Sequence, residues 1–156
     1  MVTGKVFKIL SAGAVVLSLG VTLAFATSVD EAITARQEFM KARVAALKPL
    51  ISIMKGEAPY DPATIKTSLD QMNAAGDKVK NMDLFPPGSD KGTTVETWAK
   101  PEIWSDPQGF KAASDALDKA FAELAASTDE ASFKAAFSDV GAACGGCHEK
   151  FRRPKG

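Results

Sequence analysis

Histidine is nearly absent from this chain of 156 residues: His148 is the only one. Cysteine is almost as scarce, with Cys144 and Cys147 alone, and both stand within four residues of the histidine. Two cysteines so close together offer no disulfide framework of the kind small exported domains depend on. A closed structural zinc site wants about four nitrogen or sulfur ligands, and the chain has three soft candidates. Two-histidine coordination of any metal is excluded outright. Charge of one sign is also missing: 19 basic residues balance 19 acidic ones, so no strongly basic face is available for nucleic acid, despite the local run Lys150, Arg152, Arg153 and Lys155. Beyond the first segment, no stretch alternates as a strand does.

The one long apolar run lies at the start. Lys5 and Lys8 precede an apolar stretch from Ala12 to Val21, and Ala24-Phe25-Ala26 gives the small-x-small pattern of a cleavage site. Residues 1–26 read as a secretory signal removed after Ala26. The competing reading is a retained anchor, since Ile9 to Ala26 is almost long enough to span a bilayer. Its Ser, Gly and Thr content and the cleavage site favour the signal, so no stable membrane insertion is expected after processing. Residues 27–156 then form the mature domain of 130 residues, enough for one modest core. Loss of the two lysines leaves 17 basic residues against 19 acidic.

Four helical patterns follow. Ser28 with Glu31 makes a capping box; Ile33, Met40, Val44, Leu47, Ile51 and Met54 mark the inward face of a first helix ending at Lys55-Gly56, with Pro49 expected to kink it. Asp61-Pro62 opens a second helix with Ile65, Leu69, Met72, Val79 and Met82 inward, and Asp106-Pro107 repeats the device for a third carrying Phe110, Ala113, Leu117, Phe121 and Leu124. Ser127 with Glu130 is the expected cap of the fourth. Short turns join the first two helices and the last two, which predicts an all-α, antiparallel four-helix bundle. The exception is the connection from Asp83 to Ser105, unusually long for a purely structural loop. Its Phe85, Trp98, Ile103 and Trp104 either cover the functional site or simply pack on the helices.

Cys144-Gly145-Gly146-Cys147-His148 is the attachment pattern of a c-type haem. Each thiol can add to one porphyrin vinyl group, and positions i, i+3 and i+4 of a helix lie on one side. Phe133, Phe137, Val140, Cys144, Cys147 and Phe151 step by fours and threes, so both cysteines fall on the inward stripe of the last helix. A thioredoxin-type dithiol expects the pair at a helix start after a strand, and a disulfide here would close too short a loop to matter. Gly145 and Gly146 each cost about 1 kcal/mol relative to alanine in a helix interior, a weakness that covalent haem anchoring offsets. His148 is then the axial ligand of one covalent haem c, and the sixth position falls to a methionine, a lysine, an outside molecule or nothing.

The ending from Asp139 to Arg152 resembles the haem helix of the cytochrome c prime family, the class II c-type cytochromes. So do Arg36-Gln37-Glu38-Phe39-Met40 in the first helix, the segment from Lys55 to Asp61, and Pro101 to Asp106 before the third helix. The resemblance implies that Met40, four residues after Arg36, lies over the distal haem face, as a sixth ligand in low-spin relatives or an apolar lid in five-coordinate ones. It also places Arg36 and Arg152 beside the cofactor. Arg152 has a plainer reading as a cation favouring a helix C-terminus. A homodimer through the first two helices is a further implication.

Two functions follow as expectations: a soluble periplasmic one-electron carrier working with redox partner proteins, or a five-coordinate haem protein taking nitric oxide or carbon monoxide under Met40. A third is an assembly module in which haem is a staple. No enzyme is expected, because acid and base catalysis at the distal side lacks its usual histidine.

Overall fold

A computed structural model describes residues 28–154; the expected signal, residues 1–26, lies outside the described residues. Five helices account for the framework: α1 Val29–Met54, α2 Pro62–Asp77, α3 Glu102–Ser105, α4 Pro107–Ala125 and α5 Glu130–Phe151. Among the described residues there is no strand, only a single antiparallel bridge between Ala99 and Arg152. No described helix is long and apolar enough to cross a membrane.

Local chemistry accounts for the helix ends. The Ser28 hydroxyl accepts from the Glu31 amide while the Glu31 carboxylate accepts from the Ser28 amide, closing the expected capping box. The α1 helix runs through Pro49 without interruption. It stops where Gly56 adopts φ 73°, a left-handed conformation that suits glycine. Asp61 and Asp106 cap α2 and α4, each followed by proline at the first turn, where its missing N–H is harmless. The expected cap of α5 is corrected: the N-cap is Asp129, whose carboxylate accepts from the Ser132 amide. Ser127 instead turns back and donates to the Leu124 carbonyl, closing the end of α4. An aspartate two residues nearer the helix supplies the same chemistry with a charge aligned to the dipole.

The two principal pairs are α1 with α2 and α4 with α5, each joined by a short turn, and together they make the antiparallel four-helix bundle. Near the turns, Leu50, Ile53, Ile65, Ala120, Leu124, Phe133, Ala136 and Val140 form the main core. Tyr60 and Phe137 extend it through ring contacts to Phe133.

The inward face of α1 differs from the expected one. Its buried residues are Ala32, Ile33, Arg36, Ala46, Leu50 and Ile53, whereas Met40, Val44, Ile51 and Met54 are exposed. Two apolar stripes share this helix, and the bundle buries the one that carries Ile33, Leu50 and Ile53, with Arg36 among them satisfied by hydrogen bonds to the long connection. In α2 the helix ends at Asp77, so Val79 and Met82, expected inward on it, fall in the turns beyond.

The long connection folds back on the end of the bundle opposite the turns. Ala99, Ile103 and Phe151 form a second apolar cluster there, with Phe85, Trp104, Phe110, Ala113 and Cys147 packed against it. The Trp104 indole donates to the Phe85 carbonyl at 3.0 Å, which satisfies its polar edge while the ring packs.

Candidate haem site

The last helix places Cys144, Cys147 and His148 by its 3.6-residue period. Phe133, Ala136, Val140 and Phe151 are buried along its inward stripe, and the three motif residues continue that stripe half-buried. Cys144 packs against the main core, Cys147 against the second cluster. The motif therefore bridges two apolar regions, and the long connection reaches its second cysteine. Of the two readings of that connection, covering the site or packing on the helices, its apolar residues do both at Cys147.

Both thiols are free, on one side of a regular helix, with the imidazole one turn on from Cys144. Gly145 and Gly146 are exposed, and a Cβ at either would meet nothing within 4 Å. Among the described residues no group of histidine, cysteine and carboxylate side chains is arranged to hold a bare metal ion. This donor set, two thiols and one imidazole bordering apolar surface, fits a porphyrin bonded through two sulfurs and suits no ion alone.

Burial pushes the Cys144 thiol up, with the Arg43 charge pulling the other way. Cys147 is likewise raised, first by burial and then by Cys144, again opposed by Arg43. Burial lowers His148, and Arg152 adds to that by repulsion, which favours the neutral imidazole a metal needs.

The remaining expected residues sit as follows. Met40 is on α1 with 38% of its surface exposed. Arg36 is buried, and its guanidinium donates four hydrogen bonds into the long connection: to the Leu84 carbonyl at 3.2 Å, the Ser89 hydroxyl at 2.8 Å, the Ser89 carbonyl and the Thr97 hydroxyl. Its carbon lies 5.1 Å from the Phe85 ring centre. Arg152 is the exposed C-cap of α5, in extended backbone and bridged to Ala99. Arg153, next to it, donates to the Thr97 carbonyl at 2.8 Å. Thr97 thus ties α1 to the end of the motif helix.

Arg43 was not among the expected residues. It lies on α1 three residues after Met40, its guanidinium carbon 4.6 Å from the Phe39 ring centre and 5.5 Å from that of Phe121. A groove of about 580 Å³ between α1, α2 and α4 opens beside it, lined also by Met72, Asn73 and Asp118. The signal available in the sequence was an arginine two turns after Arg36, at a spacing of seven that keeps it on one helix face.

A helical bundle with one two-thiol, one-imidazole attachment motif on its last helix defines a class of c-type haem proteins. Comparison with known proteins specifies it further. The family model for cytochrome c′ matches residues 31–152. Cytochrome c′ of Rhodopseudomonas palustris is 37% identical over 152 residues, covering 92% of this chain and 94% of that protein. The crystal structure of cytochrome c′ from Rubrivivax gelatinosus superposes with a TM-score of 0.67 at 34% identity, over 82% of this chain and 99% of that one. A nitric oxide complex of a variant cytochrome c′ from Alcaligenes xylosoxidans superposes with a TM-score of 0.70 at 31% identity, over 81% and 98%. The chain belongs to the cytochrome c′ family, whose proteins carry covalently bound haem c.

Proposed function

We propose that Cys144 and Cys147 form the thioether links to haem, that His148 is its axial ligand, and that the protein is a periplasmic one-electron carrier exported by the segment 1–26. The observation that carries this reading is the position of the motif: half-buried sulfurs against two apolar clusters, with exposed Gly145 and Gly146 between them. A cofactor fixed there has one edge near solvent, where a redox partner can dock. Bound haem supplies the Fe(III)/Fe(II) couple. The protein's part is to hold the imidazole neutral, keep the sulfur side dry, and offer Met40 from α1 as sixth ligand, with Arg36 and Arg152 steadying the segments on either side. The role is not enzymatic, because His148 is committed to the metal.

The second reading is a five-coordinate protein that takes a diatomic gas with Met40 as lid. The nitric oxide complex of the Alcaligenes xylosoxidans relative favours it. Absorption spectra in each oxidation state, with and without carbon monoxide, separate the two. A low-spin spectrum that Met40→Ala converts to high-spin supports the carrier with methionine ligation. A high-spin spectrum unchanged by Met40→Ala, with ready carbon monoxide binding, supports the gas reading. The exposed apolar residues of α1, Val44 at 57% above all, support a homodimer through that helix, which sedimentation of the purified protein tests.

A further inference from the structure

Charge is unevenly placed along residues 27–156. Residues 149–156 carry four basic side chains and one acidic, whereas residues 27–148 carry 13 basic and 18 acidic. The run that makes the difference, Lys150, Arg152, Arg153 and Lys155, directly follows the motif. Arg152 lies one helical turn beyond His148, about 5–6 Å along the axis, and its amide donates to the His148 carbonyl at 3.0 Å. The fold adds Lys100, whose amide donates to the Phe151 carbonyl beside the Ala99–Arg152 bridge. Backbone carbonyls then fix two of these cations: Lys100 Nζ donates to Glu149 at 2.8 Å and the Arg153 guanidinium to Thr97 at 2.8 Å. A carbonyl holds a cation in place without cancelling its charge. Lys150 differs, since Asp106 pairs with it at 2.6 Å. Glu102 and Glu149 are the exposed carboxylates of the same segments, and they leave a positive excess.

We infer that this end of the motif helix is the docking surface for an electron-transfer protein with an acidic face, and that Lys100, Arg152 and Arg153 orient its approach. The inference rests on haem attachment through α5 and on the carrier reading. The rest of the chain is negative, so an acidic partner is repelled from it and drawn to the end next to the axial ligand. Rim charges set encounter rate and orientation more than the strength of a complex, which suits a carrier that must also leave. Anionic lipid is the weaker fit. Carbonyl bonds hold Lys100 and Arg153 in fixed positions that match a folded surface, and the exposed large apolar side chains that could enter a bilayer are on α1.

The test uses reduced, haem-loaded protein with its Soret band and haem mass confirmed, as wild type and as Lys100→Gln, Arg152→Gln and Arg153→Gln, singly and combined. Glutamine removes the charge and keeps an N–H donor for the carbonyls. Two oxidants each take one electron from the Fe(II) haem: plastocyanin, chosen for its acidic face, whose Cu(II) becomes Cu(I), and the cationic tris(phenanthroline)cobalt(III), which becomes cobalt(II). Reduction potentials measured for every variant keep driving force out of the comparison. The wild-type rate with plastocyanin is expected to fall about threefold or more from about 10 to about 200 mM salt. In the combined variant it should be lower by about threefold or more at low salt, while the cobalt complex reacts no more slowly. Arg153→Lys should keep the wild-type rate, as should Lys66→Gln, which neutralises a lysine of α2 paired with Asp70. The inference is overturned if the plastocyanin rate ignores salt or rises with it, or if Lys66→Gln slows it as much as the combined variant does. It is also overturned if the variants lose binding to phosphatidylglycerol vesicles yet keep the plastocyanin rate. Should the combined variant not hold haem, Arg152→Gln alone, at an exposed residue, carries the comparison. Protein that gives no electron to either oxidant defeats the carrier reading, and protein without a Soret band defeats attachment; each takes the inference with it, by a failure distinct from those above.

Discussion

The two ends of the bundle are built from different materials. At the end with the turns, Leu50, Ile53, Leu124 and Phe133 are almost completely buried and pack directly across the helix pairs. At the opposite end the apolar cluster is small, Ala99, Ile103 and Phe151, and polar ties do much of the joining. Arg36 grips the connection from one side, Arg153 and the Ala99–Arg152 bridge from the other, and Lys150 reaches Asp106 at 2.6 Å. Apolar packing is non-directional and sums over area, whereas buried hydrogen bonds fix geometry at little net gain. The first end supplies stability, and the second specifies where the motif helix and α1 stand relative to each other.

The largest effect that would break this contrast comes from the turn end. Phe133→Ala removes a fully buried ring that touches Tyr60 and Phe137 and should cost about 3–5 kcal/mol, read from the shift of the urea midpoint. If the loss is below about 1 kcal/mol, the apolar end is not the main source of stability. Next is Arg36→Leu, which strips the donor from the Leu84 and Ser89 carbonyls and should cost about 2–3 kcal/mol. Hydrogen exchange sharpens that result: amides between residues 84 and 97 should lose protection while those around Leu124 and Phe133 keep it. Uniform loss would mean that the ends are not separable.

The smallest effect is on acid. The carboxyls of Asp61, Asp106 and Asp129 are held below the ordinary carboxylate range, chiefly by hydrogen bonds from the Thr64 hydroxyl, from Lys150 and from the Ser132 amide respectively. A folded-state pKa below the unfolded value contributes stability that is present above about pH 4 and lost as pH falls through the folded values. Melting temperature should therefore drop below about pH 4, and Asp106→Asn should flatten that drop without abolishing helix α4. An unchanged acid profile in Asp106→Asn would show that the Lys150 contact is idle.

Legibility was uneven in ways that physical reasons explain. Caps at Ser28, Asp61 and Asp106 depend on residues a few positions apart, so they could be read directly. Between Ser127 and Asp129, two capping residues competed within one turn, and the choice fell to the charged one. On α1, larger apolar residues drew the reading to Met40, Val44 and Ile51, while packing buried Ala32, Ala46 and the charged Arg36. Periodicity shows that a helix has an apolar side; it does not rank two adjacent sides. Arg43 was missed because an arginine reads as solvated until its neighbours are known.

By itself the amino-acid order determined the helices, their antiparallel joining and the attachment motif, because each rests on covalent spacing and the period of one helix. Tertiary structure alone decided which stripe of α1 is buried, that Arg36 is spent on the long connection while Arg43 is not, and that Cys144 and Cys147 face different apolar clusters. Those are contacts between segments far apart in the chain, such as α1 with the long connection and with α5, and no local pattern encodes which of several compatible partners the folded chain brings within reach.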